Sequence, residues 1–332
     1  MSTKSKILLH MKKHRNEWVS GESLSNMLNV SRTAIWKNIR NLKFEGFVIE
    51  SSPKLGHRLT RTSDLLLETE IKDGLETSVL GQNKFIHYRE TDSTNLRAWE
   101  LAMRGAPEGA LVISESQTAG RGRRGRDWFS AHEKGISLSI ILRPRIEPAE
   151  ALKLTLITSV ALAETIISCT GLDVRIKWPN DLLISGRKIA GILTEMHTDT
   201  DEIRHVVVGF GLNVNNNTDD FPVELREIAT SLLIESGREF SRVALTRGFL
   251  ELFENYYLML TSNNVMPVIQ KWKDLADIQG RRITVQLIRE QVTGHMVDID
   301  RDGFLIIKDD NGKMHTILSG DVIPVKDEGD KQ

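Results

Sequence analysis

A single cysteine, Cys169, is all the thiol chemistry the chain carries, so no disulfide forms within it. It ends an apolar helical stretch, where its expected role is that of a buried small hydrophobe. The nine histidines are scattered without paired ligand spacing, which argues against a structural zinc or a histidine-based metal site. Near the start, Ile7-Leu8-Leu9 is too short an apolar run for a secretion signal, and no later stretch is expected to span a bilayer. These absences predict a cytoplasmic chain without membrane association. Internal repeats and low-complexity tracts are also absent. At 332 residues, 40% hydrophobic and 27% charged, the chain is long enough to divide into two or three cores.

The net charge of -1 is unevenly placed: twelve Lys/Arg against five Asp/Glu give residues 1–64 a net +7 and leave -8 for the remainder. Within this basic segment Glu22 to Leu28 predicts a short helix and Asn29-Val30 a turn. Ser31 then caps a second helix whose Ile35, Ile39 and Leu42 face inward. That is helix-turn-helix spacing. Beside Ser31, the residues Arg32, Thr33, Trp36, Lys37 and Arg40 are left for DNA, the N-terminal ones suited to base edges and the basic ones to phosphates. Phe47-Val48-Ile49 and His57-Arg58-Leu59 flank Ser52 to Gly56 as a hairpin with a basic tip, which reads as a wing. The competing reading is a small helical interaction domain with a solvated basic face. Residues 61–84 read as a linker with a short helix.

The body alternates strands and helices, and so predicts an α+β class. A strand at Lys84 to Tyr88 precedes a helix that Asp92 or Ser93 caps and that runs to Met103. Strands follow at Ala110 to Glu115 and at Ile136 to Leu142, and Pro148 opens a long helix that Gly171 closes. Val174 to Lys177, Lys188 to Met196 and Val206 to Val214 add strands, for a mixed sheet backed by helices. From Gly280 onward, β alternation broken at Asp302-Gly303 and Asp310-Asn311-Gly312 predicts a small barrel.

Between the second and third of these strands lies Gly120-Arg121-Gly122-Arg123-Arg124-Gly125, whose glycines and arginines are suited to wrapping a small anion. So dense a set of like charges is expected to order only around an anion. The same letters satisfy a dinucleotide fingerprint, but that site needs a helix after the loop, and here Asp127-Trp128-Phe129-Ser130 leads into another strand. Taken alone, the loop reads equally as a flexible hairpin or a nonspecific nucleic-acid contact.

Further segments change that balance. Glu90-Thr91-Asp92-Ser93-Thr94-Asn95, the stretch from Gln117 through the basic loop to Ser130, Lys177-Trp178-Pro179-Asn180-Asp181-Leu182, Gly186 to Leu193, and Gly209-Phe210-Gly211-Leu212-Asn213 occur in that order. This set closely resembles the catalytic core of the biotin-protein ligases. With the N-terminal segment, it resembles the bifunctional type that also represses biotin synthesis genes.

The resemblance implies a winged helix-turn-helix over 1–64, a linker over 65–83, a ligase domain with a central mixed sheet over 84–274, and an SH3-like barrel over 275–328. It implies conversion of biotin and ATP to biotinyl-5'-AMP, with Mg2+, and transfer to a lysine of the biotin carboxyl carrier protein of acetyl-CoA carboxylase. The adenylate would be corepressor at operator DNA, and dimer formation on adenylate binding would use a strand edge such as Ile136 to Leu142. The biotin set would be Ser93, Thr94 and Asn95 at the ureido ring, Gln117 and the backbone of Arg121, Gly122 and Arg123 at the carboxylate region, with Lys188, Gly191 and Gly209. Arg123, Arg126, Trp128, Asn180, Asp181, Lys188 and Asn213 would hold ATP or the adenylate, with Mg2+ near Asp181. Trp128 would either stack on adenine or fill core, and Gly209 and Gly211 would let backbone approach the ligand. Lys188 is the catalytic choice, with Arg121. Two other readings share these features: a ligand-sensing regulator whose ligase core has lost activity, which the intact Lys188 and basic loop oppose, and a lipoate-type ligase, which GRGRRG and KWPND oppose.

Overall fold

A computed structural model describes residues 2–199, 202–276, 280–287 and 290–324. The chain forms two compact units, Met1–Asp73 and Gly74–Gln332.

The first unit opens with α1 (Thr3–Lys13), which the Ser2 hydroxyl caps. α2 (Gly21–Leu28) is capped by Ser20 and stopped by Asn29 in the left-handed region, φ 50°. α3 (Arg32–Phe44) starts at Ser31, whose hydroxyl accepts from the Ala34 amide at 3.1 Å. Strands β1 (Val48–Ser52) and β2 (Gly56–Arg61) pair as the expected hairpin. Ile35, Ile39 and Leu42 of α3 close on Ile7, Leu24 and Leu59. The segment after the hairpin, expected to be linker, packs within this unit through residue 73. Leu66 is fully buried, and Glu70 of α4 (Glu68–Ile71) takes Lys12 Nζ at 2.7 Å.

In the second unit, β3 (Phe85–Tyr88), α5 (Thr94–Met103) and β4 (Leu111–Ser114) lead to a two-residue pair, β5 (Gly120–Arg121) with β6 (Asp127–Trp128). Then come β7 (Gly135–Leu142), α6 (Ala151–Thr170), β8 (Arg175–Lys177), β9 (Asp181–Ile184), β10 (Arg187–Asp199) and β11 (Glu202–Asn213). The central sheet runs β3-β4-β7-β11-β10-β9-β8, with β3 parallel to β4 and the rest antiparallel. Ala98 and Ala102 of α5 pack one face, on Val112, Ile141 and Val207. On the other face Phe210 meets Phe249 of α8 (Arg242–Thr261), and α6 packs against α8. The short α7 (Leu232–Ser236) precedes α8, and α9 (Met266–Leu275) follows it.

Four expectations are revised. First, β7 lies between β4 and β11 with both edges hydrogen-bonded, so Ile136 to Leu142 offers no edge to a second subunit. Second, Cys169 is exposed, because the last turn of α6 runs beyond the elements that bury the rest of the helix. Third, Pro148–Thr170 is long and apolar enough to cross a membrane by length and composition, yet most of it is buried between sheet and helices. Fourth, the C-terminal strands β12 (Arg282–Gln286), β13 (Gln291–Ile299), β14 (Leu305–Lys308), β15 (Met314–Ile317) and β16 (Asp321–Pro324) form an antiparallel sheet, β15-β14-β13-β12-β16. Among the described residues its edges β15 and β16 do not pair, so no closed barrel is seen. The three residues between them carry the chain from one edge to the other. Residues 277–279, 288–289 and 325–328 of the expected barrel domain lie outside the described ones.

Candidate active site

The site is built where the N-terminus of α5 meets β7, β11 and β10. Ser93 caps α5, and Thr94 and Asn95 in its first turn are buried. Gln117 Oε1 accepts from the Thr94 amide at 2.7 Å and lies 3.1 Å from its hydroxyl. Asn95 is fixed from both sides. Its Oδ1 lies 2.6 Å from Ser139 Oγ, and its Nδ2 donates to Leu193 O at 3.1 Å and Glu195 Oε2 at 3.0 Å. Gly209 makes this possible, since a Cβ there would sit 1.7 Å from Asn95 Oδ1. The space expected for ligand at this glycine is filled by Asn95.

The basic loop is a hairpin, with no helix after it, so the dinucleotide reading fails in the structure as in the sequence. Its turn puts Arg124 at φ 54°, and Gly120 is required because a Cβ would lie 2.4 Å from Trp128 O. Instead of waiting on an external anion, the loop's charges meet partners within the protein. Arg121 Nη2 is 3.3 Å from Glu195, while Arg124 and Arg126 reach Asp321 at 3.1 and 2.5 Å. Arg123 bonds Asn180 Oδ1 at 3.3 Å and Ser319 Oγ at 2.9 Å, and burial pulls its pKa below the usual guanidinium range.

Lys188 follows the Ser185-Gly186 turn, where both residues have positive φ. Backbone bonds to Ile228 O and from Thr230 N hold it. Its Nζ lies 2.7 Å from Asp181 Oδ1 and 5.6 Å from the centre of the Trp128 ring. Gly191 and Gly211 leave room for these two side chains: a Cβ at Gly191 would come within 3.1 Å of Lys188 Nζ, and one at Gly211 within 2.2 Å of Trp128 Cε2.

Two cavities result. The first, about 880 Å³ of free space partly open to solvent, is lined at one end by Ser93, Thr94, Asn95, Gln117 and Gly209. The basic-loop residues Arg121, Gly122 and Arg123 line it too, with Asn180 and Gly191. The second is more apolar, with Phe129, Phe221, Leu225 and Ile228, and it contains the expected Asn213, whose amide donates to Thr230 O at 3.0 Å. Arg126, Asp127, Trp128, Lys177, Asp181 and Lys188 line both, forming the wall between them. Trp128 is thus a partition rather than core filling. All the expected ligand residues except Asn213 line the first cavity.

Sequence reasoning did not single out Lys177, Glu195, Asp321 or the apolar lining from Phe221 to Ile228. Lys177 stands inside the quoted KWPNDL segment and was available there. Asp321 joins Arg124 from almost two hundred residues away, and no local pattern signals such a pair.

On the first unit, Arg32, Thr33, Trp36, Lys37 and Arg40 are exposed along α3. Trp36 is 57% exposed, with the Arg40 guanidinium 5.8 Å from its ring centre, and Arg32 pairs with Glu22 at 2.6 Å. The Ser31 hydroxyl is committed to its cap.

Comparison with known proteins agrees with this division. Profiles described as HTH domain, Biotin/lipoate A/B protein ligase family and Biotin protein ligase C terminal domain match residues 3–58, 88–213 and 279–323. The chain is 40% identical to the bifunctional ligase/repressor BirA of Bacillus spizizenii, over 92% of this chain and 94% of that protein. It is 32% identical to the Escherichia coli protein of the same name, over 89% of each. Among solved structures, biotin protein ligase from Aquifex aeolicus in complex with biotin and ATP superposes with a TM-score of 0.63 at 27% identity, covering 72% of this chain and 97% of that one. A helix-turn-helix, a central ligase sheet and a C-terminal sheet in one chain, matched nearly end to end by such relatives, place this protein in the biotin protein ligase family, among its bifunctional ligase/repressors.

Proposed function

We propose that the first cavity takes biotin, that the second takes the nucleoside of ATP, and that carboxylate and α-phosphate meet at the wall the cavities share. That wall carries the reading: it puts Lys188, Arg126 and Trp128 between a polar cleft with a hydrogen-bonding end and an apolar slot suited to a purine. Ser93, Thr94, Asn95 and Gln117 bind the ureido ring. Gln117, already bonded to Thr94, belongs with this end rather than with the carboxylate. The backbone from Arg121 to Arg123, with the Arg121 side chain, neutralises the carboxylate. Trp128 packs between the biotinyl and adenosine halves, and Asn180 and Asn213 orient the phosphate and ribose region.

Two anions approach only where fixed cations hold them. A biotin carboxylate oxygen attacks the α-phosphorus, the bond to the bridging oxygen breaks, and pyrophosphate leaves. Lys188 exchanges Asp181 for the reacting oxygens as charge concentrates there. The ε-amine of a lysine on the carrier domain of acetyl-CoA carboxylase then attacks the mixed anhydride, and AMP departs. No covalent enzyme intermediate is required. No group of three His, Cys, Asp or Glu side chains is placed to hold a metal ion among the described residues, so these residues form no all-protein cage for Mg2+. A nucleotide-borne ion fits, with Asp181 as its single carboxylate, and it would supply charge neutralisation on the phosphates.

Biotinyl-5'-AMP is also the corepressor, and α3 with its wing reads operator DNA as a homodimer of the whole chain. The outer edge of β10 from Thr194 to Asp199 supports that assembly, because β9 pairs with β10 only as far as Gly191. The test is pyrophosphate exchange with biotin and Mg-ATP. Lys188→Ala, which removes an ammonium most valuable in the transition state, lowers the rate by roughly two orders of magnitude or more while biotin binding persists. Exchange within about threefold of the wild-type rate would remove Lys188 from the chemistry.

A further inference from the structure

Lys177 ends β8, in register with Asp181 of β9, and its side chain lines both cavities. The other cations on these walls are each paired: Arg121 with Glu195, Arg123 with Asn180 and Ser319, Arg126 with Asp321, Lys188 with Asp181. Lys177 is half-buried and, among the described residues, its side chain has no hydrogen-bond or ion-pair partner. A partly desolvated ammonium without a counter-ion is costly, and a fold retains one where a ligand brings the missing charge. A lysine that merely guards an edge strand points its amine into water. This one lies on the wall that divides two binding cavities.

We infer that Lys177 is a further catalytic residue, which holds the β- and γ-phosphates of ATP and stabilises the departing pyrophosphate. The inference rests on the two-cavity reading above. In the adenylation step the carboxylate oxygen forms its bond to the α-phosphorus, and the electron pair of the broken bond goes to the bridging oxygen of pyrophosphate. Charge therefore accumulates on the leaving group as well as on the equatorial oxygens. Lys188, tied to Asp181 at the wall, serves the reacting centre, and Lys177 serves the departing group. No proton is transferred in this step. The second step contains no pyrophosphate, so Lys177 is idle in it.

That asymmetry gives the test. Full-length Lys177→Gln and Lys177→Arg are compared with the wild-type protein in three measurements: biotin binding without ATP, single-turnover adenylate formation, and transfer from supplied biotinyl-5'-AMP to a carrier domain. The Gln variant is expected to lose roughly 100-fold in adenylate formation while biotin affinity and transfer stay within about twofold, and the Arg variant to recover much of the loss. Adenylate formation within about threefold of wild type in the Gln variant overturns the role, as does an equal fall in both half-reactions, which marks a structural lysine. Arg must rescue adenylation for the assignment to hold, because it keeps the charge and the fold. Failure of the wild-type chain to form adenylate at all would instead defeat the two-cavity reading itself.

Discussion

Glycine decides more in this site than its arginines do. Gly211 pairs with Gly191 across β11 and β10, Gly209 stands two residues before Gly211 on the same strand, and a side chain at any of the three would strike Asn95, Trp128 or Lys188. Gly211→Ala forces the indole of Trp128 to move, since its Cβ would start 2.2 Å from Trp128 Cε2. Overpacking of this kind costs about 1–3 kcal/mol, and here the cost falls on the wall shared by both cavities. The expected result is roughly tenfold or greater weakening of both biotin and ATP binding, read by calorimetry, with a fall of only a few degrees in melting temperature. If only one ligand is affected, Trp128 is not the partition. The sequence made these glycines legible as sites of close approach, but not what approaches. Gly209 faces Asn95 more than a hundred residues away, and such a pairing exists only once α5 is laid on the sheet.

Capped helices and alternating strands were legible because their signals are local. Ser31 and Ser93 are caps at the expected positions, Gly171 closes α6, and the strands of the central sheet fall close to their predicted spans. What was lost depends on partners. β9 escaped because it is short and its register comes from β8 and β10. α8 carries an inward stripe through Leu245, Phe249, Phe253 and Tyr256 after the Ser241 cap, a local signal of the same kind as those of α3 and α6. Edges are the least local property of all, which is why β7 was mistaken for one. The β10-β11 pair also makes a pH prediction. His205 is buried opposite His197 and beside Trp99. Burial first, then His197 and Arg143, hold its pKa below the usual histidine value. The unfolded chain therefore takes up this proton more readily. The neutral ring contributes its full stability above about pH 6.5, and that contribution is lost as pH falls from there through the lower folded value. Denaturation midpoints at pH 7.5 and 5.5 are expected to differ less in His205→Phe, which keeps a ring against Trp99, than in the wild-type chain. An unchanged difference would mean that the sheet's acid sensitivity arises elsewhere.

At the scale of the whole molecule, two compact units divide the work, and the charge asymmetry of the sequence follows that division. The basic helix-turn-helix unit extends to Asp73, beyond the charge boundary at 64, because Leu66 and Glu70 belong to its packing. Removal of residues 1–73 is expected to abolish operator binding and leave adenylate formation largely intact. Repression requires more than the presence of both units. A single winged helix binds DNA weakly and with strong salt dependence, and a specific operator is normally read as two half-sites by a symmetric pair. The ligase unit supplies a way to couple pairing to ligand. Arg121 of the basic loop pairs with Glu195, and Glu195 lies on β10 within the stretch whose outer edge β9 leaves unpaired. A ligand that draws Arg121 away from Glu195 toward its own carboxylate would therefore act next to the edge proposed for a second subunit. On the two-cavity proposal the adenylate would fill both cavities at once, and would do this better than biotin alone. Sedimentation is expected to show a shift from monomer toward dimer on adding biotinyl-5'-AMP, together with tighter operator binding. A charged substitution on the β10 edge, Thr194→Lys or Met196→Lys, is expected to block both while adenylate formation continues. If assembly state and operator affinity are the same with and without the adenylate, the corepressor coupling is wrong even though the ligase chemistry stands.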